Sequence, residues 1–303
     1  MLKRYTGVVY VNGELKPAEE ATVSVFDHGL LYGDGVFDTM FAKYGYIFKL
    51  EEHIARFRRS MRAIALEIPL DQKGLSQAVL ETTARNGLTE AYIKIIATRG
   101  RTAEPLLDPR GAEPTLIILV RPYLWLADPS KRQAGLKVKI TSVRRVSHEA
   151  IDPRIKNLNY LNLVLAKIEA LNAGCDEALL LDQDGMVSEA PGYNVFMVVN
   201  NVVMTPDQSI LEGITRETIF ELCRELGIPC VARPLAPYDF YTADEAFLTA
   251  TAVGMMPITR LDGRQIGSGT VGPVFQRLDA AYDDLQKSGK HGTRIPITQA
   301  GSQ

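Results

Sequence analysis

Nowhere does the chain hold a run of about 18 apolar residues, the length a membrane-spanning helix needs, so nothing in it is expected to cross a bilayer. The start, Met1-Leu2-Lys3-Arg4-Tyr5-Thr6-Gly7, lacks the apolar stretch of a signal peptide, and a cytoplasmic protein is the expectation. Long basic runs are missing too. The formal net charge is -2 with both signs interspersed, which argues against a nucleic-acid surface. Cysteine is scarce: Cys175, Cys223 and Cys230 have neither metal-ligand spacing nor an even disulfide framework, and read as reduced thiols. His28, His53, His148 and His291 are scattered, and no metal site is expected. Absent as well are a dinucleotide-binding glycine fingerprint, a Walker loop, internal repeats and low-complexity blocks.

What is present is ordinary in bulk. An apolar share of 46% beside 23% charged residues is that of a globular protein, and 303 residues suffice for two lobes and an enclosed site. Strands arrive as hairpins and meanders with helices between them, which predicts an α+β chain rather than a doubly wound sheet. Val8-Val9-Tyr10-Val11 turns at Asn12-Gly13 into Glu14-Leu15, and Ala21 to Phe26 alternates as a further strand. Val36 to Ala42, Ala91 to Thr98 and Thr115 to Val120 read as strands, with helices over Glu51 to Leu66 and Leu75 to Arg85. The expected division is a small lobe over residues 1–122, a connection over 123–135, a larger lobe over 136–287 and an unstructured tail over 288–303. In the larger lobe Met186 to Ala190 reads as a strand, and Thr215 as the N-cap of a helix closed by Gly227.

Chemistry gathers in a few stretches. Asp152-Pro153-Arg154-Ile155-Lys156-Asn157-Leu158-Asn159-Tyr160 runs straight into an apolar helical segment, Leu161, Leu163, Val164, Leu165 and Ile168. Lys156 is therefore expected where a loop enters a buried element, its stem packed and its amine facing a cavity. An amine so placed can attack an aldehyde, although most lysines are simply solvated charges. Arg56 stands beside the apolar face of Ile54, Phe57, Met61 and Ile64 and can point into a cleft to hold an anion, whereas Arg58, Arg59 and Arg62 read as a solvated face. The helix start at Leu211-Glu212-Gly213-Ile214-Thr215 offers N–H groups to a phosphate, as any helix start does.

Seven stretches in order carry a resemblance: Tyr32-Gly-Asp-Gly-Val-Phe37, Glu52-His53-Ile54-Ala55-Arg56, Lys156-Asn-Leu-Asn-Tyr160, Gly185-Met-Val-Ser-Glu189, Asn194-Val-Phe196, Leu211-Glu-Gly-Ile-Thr-Arg216 and Thr249-Ala-Thr251-Ala252. Over about residues 8 to 285 the chain resembles the class IV (fold-type IV) aminotransferases, which include branched-chain, D-amino acid and (R)-amine transaminases and aminodeoxychorismate lyase. The resemblance implies a two-domain fold-type IV enzyme that uses pyridoxal 5'-phosphate and works as a homodimer. Lys156 would form the Schiff base and shuttle the proton, and Glu189 would keep the pyridine nitrogen protonated. Arg56, the N–H groups of Ile214 and Thr215, and Thr251 match the phosphate cup; Tyr160 matches the tyrosine on the cofactor's phenolic oxygen. Tyr32, Phe37, Thr39, Phe41, Lys94, Thr251 and Ala252 fall on substrate-binding positions.

Two departures bear on substrate. Where branched-chain enzymes continue Glu-Gly-Ile-Arg, this chain has Asp38-Thr39-Met40-Phe41, which narrows the space beside the cofactor and removes a cation; Lys94 retains one nearby. Thr98-Arg99-Gly100 resembles the turn before the D-amino acid enzymes' carboxylate trap, but Arg101-Thr102-Ala103 lacks its histidine. The expected reaction moves an amino group between a small-molecule donor, a branched-chain-like L-amino acid, and a 2-oxo acid such as 2-oxoglutarate. An (R)-amine or D-amino acid transaminase is the alternative and the lyase the third. A non-catalytic protein on the same fold has no physical need of a buried cation and carboxylate.

Overall fold

Alternation places Ala91, Ile93, Ile95 and Ala97 on one face of a strand and Tyr92, Lys94 and Ile96 on the other, and this strand is the middle of the first of two units in the computed structural model. Residues 6–104, 106–123 and 129–296 are described. The first unit comprises Met1–Leu124, Ile155–Asn159 and Gln286–Gln303, and the second Trp125–Arg154 and Tyr160–Leu285.

The first unit begins with β1 (Val8–Val11), β2 (Glu14–Pro17), α1 (His28–Tyr32), β3 (Gly35–Lys43) and β4 (Tyr46–Phe48). Next come α2 (Leu50–Ala63), α3 (Gln72–Arg85), β5 (Ala91–Arg101) and β6 (Glu113–Pro122). Val36 and Met40 of β3, the apolar row of β5 and Ile118 of β6 pack beneath Ile54 and Phe57 of α2 and Leu75 and Val79 of α3. The opposite face carries Phe37, Thr39 and Phe41, in register with Ile96, Lys94 and Tyr92 across the antiparallel β3/β5 pair.

β4 pairs with β3 only at Ala42 and Lys43, which leaves the first half of that edge to the lysine segment. The Phe37 N–H donates to the Lys156 carbonyl at 2.9 Å, the Leu158 N–H donates to the Gly35 carbonyl at 3.0 Å, and Val36 pairs antiparallel with Asn157. Gly35 permits this closeness, because a Cβ there would stand 2.6 Å from the Ala97 carbonyl oxygen and 2.7 Å from Leu158 Cδ1. Gly35→Ala is accordingly expected to cost about 1–3 kcal/mol of stability. A urea unfolding curve that coincides with the native one would contradict that.

The second unit contains α4 (Pro129–Ala134), β7 (Leu136–Ile140), α5 (Leu161–Asn172), β8 (Glu177–Leu179), β9 (Asn194–Val199) and β10 (Val202–Thr205). It continues with α6 (Ile214–Glu225), β11 (Cys230–Ala232), α7 (Pro237–Tyr241), β12 (Glu245–Ala250), β13 (Gly254–Leu261), β14 (Arg264–Gln265) and α8 (Pro273–Lys287). Its mixed sheet runs β11-β10-β9-β12-β13-β7-β8, with β14 on β13. Phe196 of β9 and Phe247 of β12 stack at 5.1 Å, and Phe275 of α8 meets Phe247 edge-on.

Several expectations are corrected. Residues 21–26 form no strand, and 186–190 make only isolated bridges. The α6 N-cap is Gly213, not Thr215, which lies in the first turn. The connection expected over 123–135 contains α4, and its residues 124–128 lie outside the described ones. The tail expected from residue 288 instead includes β15 (Gly292–Arg294), which pairs with β4 and completes the first sheet in the order β15-β4-β3-β5-β6-β1-β2. Nor is the helix after Lys156 a buried element: α5 buries Leu163, Ala166 and Ala170 but exposes Leu161, Val164, Leu165, Ile168 and Leu171. No helix among the described residues is long and apolar enough to cross a membrane.

Candidate active site

On α2 the spacing i, i+3, i+7 sets His53, Arg56 and Ser60 along one side of the helix, and all three are buried. Asp38 is the polar break in the otherwise apolar row of Val36, Met40 and Ala42, and it meets His53 and Arg56. Arg56 donates through Nε to Asp38 Oδ2 at 2.8 Å and through Nη2 to Oδ1 at 2.9 Å. His53 Nδ1 lies 2.8 Å from Asp38 Oδ1, and because a carboxylate only accepts, that nitrogen carries the proton. Burial alone would raise the Asp38 carboxyl, yet the Arg56 guanidinium and His53 hold it far below the usual carboxylate range. Burial also pushes His53 down, against the pull of Asp38. Four residues further along the helix, Ser60 Oγ accepts the Lys156 N–H at 3.1 Å. One helix face thus fixes both a guanidinium and the main chain of Lys156.

The Lys156 side chain is only 9% exposed, and its Nζ lies 4.6 Å from the centre of the Phe37 ring. Lys94 Nζ lies 4.2 Å from the same centre. Burial, and then the neighbouring Lys156, lowers the Lys94 pKa from its ordinary value. Thr39 stands opposite Lys94 in the sheet; Phe41, opposite Tyr92, packs edge-on against Tyr123 at 4.1 Å. Tyr32 ends α1, 37% exposed and edge-on to His28 at 5.0 Å. That short helix is anchored by Asp27, whose carboxylate accepts from the Gly29 N–H and from the hydroxyls of Thr98 and Thr115.

In the second unit Glu189 is buried and held on both oxygens. Arg145 Nε donates to Oε1 at 3.0 Å, while the Leu211 N–H at 2.9 Å and Asn194 Nδ2 at 3.3 Å donate to Oε2. The Asn194 amide also donates to the Leu211 carbonyl at 2.8 Å, which ties the carboxylate to the approach of α6. That helix starts at Ile214 and Thr215 behind a glycine, without a side-chain cap, so its first N–H groups are offered outward. A Cβ on Gly213 would fall 2.0 Å from Asn194 Oδ1. Thr249, directly opposite Asn194 in the β9/β12 ladder, has a buried hydroxyl with no hydrogen-bond partner among the described residues. Thr251 and Ala252 form the turn after β12, and Tyr160 is the N-cap of α5.

Asp38, His53, Ser60, Arg145 and Thr249 were given no role in the sequence, although Asp38, His53 and Thr249 fall inside stretches quoted there. The signal for the first three was present, as polar residues at helical and strand spacing inside apolar rows. Arg145 and Thr249 carry no such pattern.

Each unit taken by itself holds polar groups able to bind a ligand. The first has a nearly buried amine, which can attack an aldehyde, and a fixed guanidinium; the second has a fixed carboxylate and an uncapped helix start, which can bind a phosphate. The unsatisfied Thr249 hydroxyl shows that the second unit's polar groups are incomplete as they stand, which fits a polar group bound beside them. Each set by itself suits a part of a phosphorylated pyridine aldehyde, the kind of group that defines the pyridoxal-phosphate enzymes.

Comparison with known proteins narrows the class. The family profile "Amino-transferase class IV" matches residues 35–261. A candidate branched-chain-amino-acid aminotransferase of Methanocaldococcus jannaschii is 43% identical over 281 residues, 92% of this chain and 96% of that protein. The branched-chain aminotransferase of Thermoproteus uzoniensis, solved with norvaline, superposes with a TM-score of 0.89 at 34% identity, covering 96% of this chain and 100% of that one. The T.th. branched-chain amino acid aminotransferase, solved with N-(5'-phosphopyridoxyl)-L-glutamate, gives 0.90 at 33% identity over 96% and 99%. The chain belongs to the class IV aminotransferases and is a pyridoxal 5'-phosphate-dependent transaminase with branched-chain aminotransferase relatives.

Proposed function

We propose that this transaminase takes a branched-chain-like L-amino acid as donor and 2-oxoglutarate as acceptor, and acts as a homodimer. The observation that carries the substrate reading is the face of the first sheet turned away from its helices. It sets apolar Phe37 and Phe41 in one row with Thr39 and places the Lys94 cation opposite Thr39, a wall for an apolar side chain with one charge for a carboxylate.

When bound, the cofactor supplies a sink for the electron pair left at the substrate Cα after proton loss. Lys156 would hold the aldehyde carbon and, once the substrate amine has displaced it, would carry the proton to and from Cα. Glu189, fixed by Arg145, would keep a proton on the ring nitrogen, and Tyr160 would serve the phenolic oxygen. Arg56, the N–H groups of Ile214 and Thr215, and Thr251 would hold the phosphate. The Thr251-Ala252 turn and Lys94 receive substrate carboxylates; Tyr32, Phe37, Thr39 and Phe41 shape the side-chain space. The L-glutamate adduct solved in the T.th. enzyme supports a dicarboxylate as one of the two partners.

A half-reaction tests this reading. L-leucine, D-alanine or (R)-1-phenylethylamine is added separately to the purified holoenzyme, and the yellow absorbance of the lysine-bound cofactor is followed. Loss of colour with L-leucine alone is the expected result. Loss with the D-amino acid or the amine would mean that Thr39 and Phe41 have rebuilt the site for those donors. A yellow protein that responds to none of the three would bring the lyase forward.

A further inference from the structure

Asn194 and Thr249 stand directly opposite each other across the antiparallel β9/β12 pair, so their side chains leave the sheet on one face. The next opposed pair on that face is Phe196 and Phe247, and Phe196 also meets Phe220 of α6 edge-on at 6.3 Å. Helix α6 therefore covers this face. Ile214 to Phe220 rises about 9 Å along the helix, and Asn194 to Phe196 about 7 Å along the strand. With Phe220 over the aromatic pair, the helix start falls over Asn194 and Thr249. Two contacts agree with this: Asn194 Nδ2 donates to the Leu211 carbonyl at 2.8 Å, and a Cβ on Gly213 would lie 2.0 Å from Asn194 Oδ1. Thr249 is 2% exposed, and its hydroxyl is buried without a hydrogen-bond partner among the described residues. By contrast Thr205 and Thr218, also buried, are satisfied by main chain, donating to the Val195 carbonyl at 2.8 Å and the Ile214 carbonyl at 2.9 Å.

We propose that the Thr249 hydroxyl is a further ligand of the cofactor phosphate, donating to one of its oxygens beside the first N–H groups of α6. The inference rests on the reading that this helix start holds that phosphate. A phosphate ester has three outer oxygens that accept from several directions, whereas the N–H groups of a helix start all point along its axis. A hydroxyl rising from the sheet beneath supplies a donor from a direction the helix does not. Thr251, two residues further along the chain, serves the same group in that reading, so one short segment would bring two hydroxyls to it. The chain by itself gains nothing from the Thr249 oxygen: buried and unpaired, it is less favourable there than a methyl group of the same shape. A ligand role and a structural role therefore predict opposite changes when that oxygen is removed.

The test compares the full native chain with Thr249→Val and Thr249→Ser, each stripped of cofactor. Calorimetry measures the binding of pyridoxamine 5'-phosphate and of pyridoxamine, two ligands that differ only in the phosphate and, as amines, form no bond to Lys156. The native chain should favour the phosphate ester. Thr249→Val should cut that preference roughly tenfold or more by weakening the ester alone, the worth of a hydrogen bond to a charged group. Without ligand the valine variant should melt no lower than the native chain, because no bond within the chain is lost. Thr249→Ser keeps a hydroxyl and should keep most of the preference. A valine variant that melts below the native chain or fails to fold, or a serine variant that loses the preference as the valine variant does, overturns the inference. Equal affinity of the native chain for the ester and for pyridoxamine overturns the underlying phosphate reading, while a native preference that survives intact in Thr249→Val overturns the role of Thr249 alone.

Discussion

Lys156→Ala is expected to fold as the native chain does, to lose the yellow absorbance of lysine-bound cofactor, and to lose turnover at the upper end of the roughly 10²–10⁴-fold range that a positioned proton carrier contributes. Folding should survive because what fixes this segment is main chain: the Lys156 carbonyl accepts from Phe37, its N–H donates to Ser60, and Asn157 pairs with Val36. The side chain adds a contact with the Phe37 ring, which alanine gives up. Circular dichroism and a urea melt check the fold, and absorbance with single-turnover kinetics checks the chemistry. Retained turnover in a folded variant would remove Lys156 from the mechanism.

Asp38→Ala should produce the largest loss of stability, about 3–5 kcal/mol, because it leaves the buried Arg56 guanidinium without its counter-charge. Cofactor retention should fall with it, since the guanidinium assigned to the phosphate would no longer be held. The native Asp38 carboxyl titrates below its unfolded value of about 3.9, so its contribution is complete above that pH and is lost as pH falls from there through the native value. Urea melts at neutral pH and below pH 4 check both statements. The variant should lose its deficit relative to the native chain as the solution becomes acidic, and a deficit that stays constant down to pH 2 would contradict the account.

How much of this was readable in the sequence depended on whether a pattern is local. The β5 row of Ala91, Ile93, Ile95 and Ala97 and the apolar side of α2 follow from periodicity because burial rewards them residue by residue. Ala21 to Phe26 has the same alternation and forms no strand: Val23, Val25 and Phe26 stay exposed, so the alternation buries no face there. Gly292–Arg294 has no strand pattern and becomes one because β4 offers it an edge. Thr215 has the composition of a cap but sits two positions past the cap, Gly213. At the site, Lys156 and Glu189 stood out through their sequence setting, whereas Asp38 and His53 show their purpose only when the helix is laid against the strand. Arg145, 44 positions from Glu189, is tied to it by tertiary contact alone.

The return of β15 to the first sheet sets an order of assembly on the ribosome. The second unit is drawn wholly from residues 125–154 and 160–285, while the first sheet lacks its outer strand until residues 292–294 have emerged. During synthesis the later-encoded unit can therefore close while the earlier one still waits for its last strand, the reverse of the usual N-terminal-first sequence. The sheet that anchors Lys156 is thus the part of the molecule completed last.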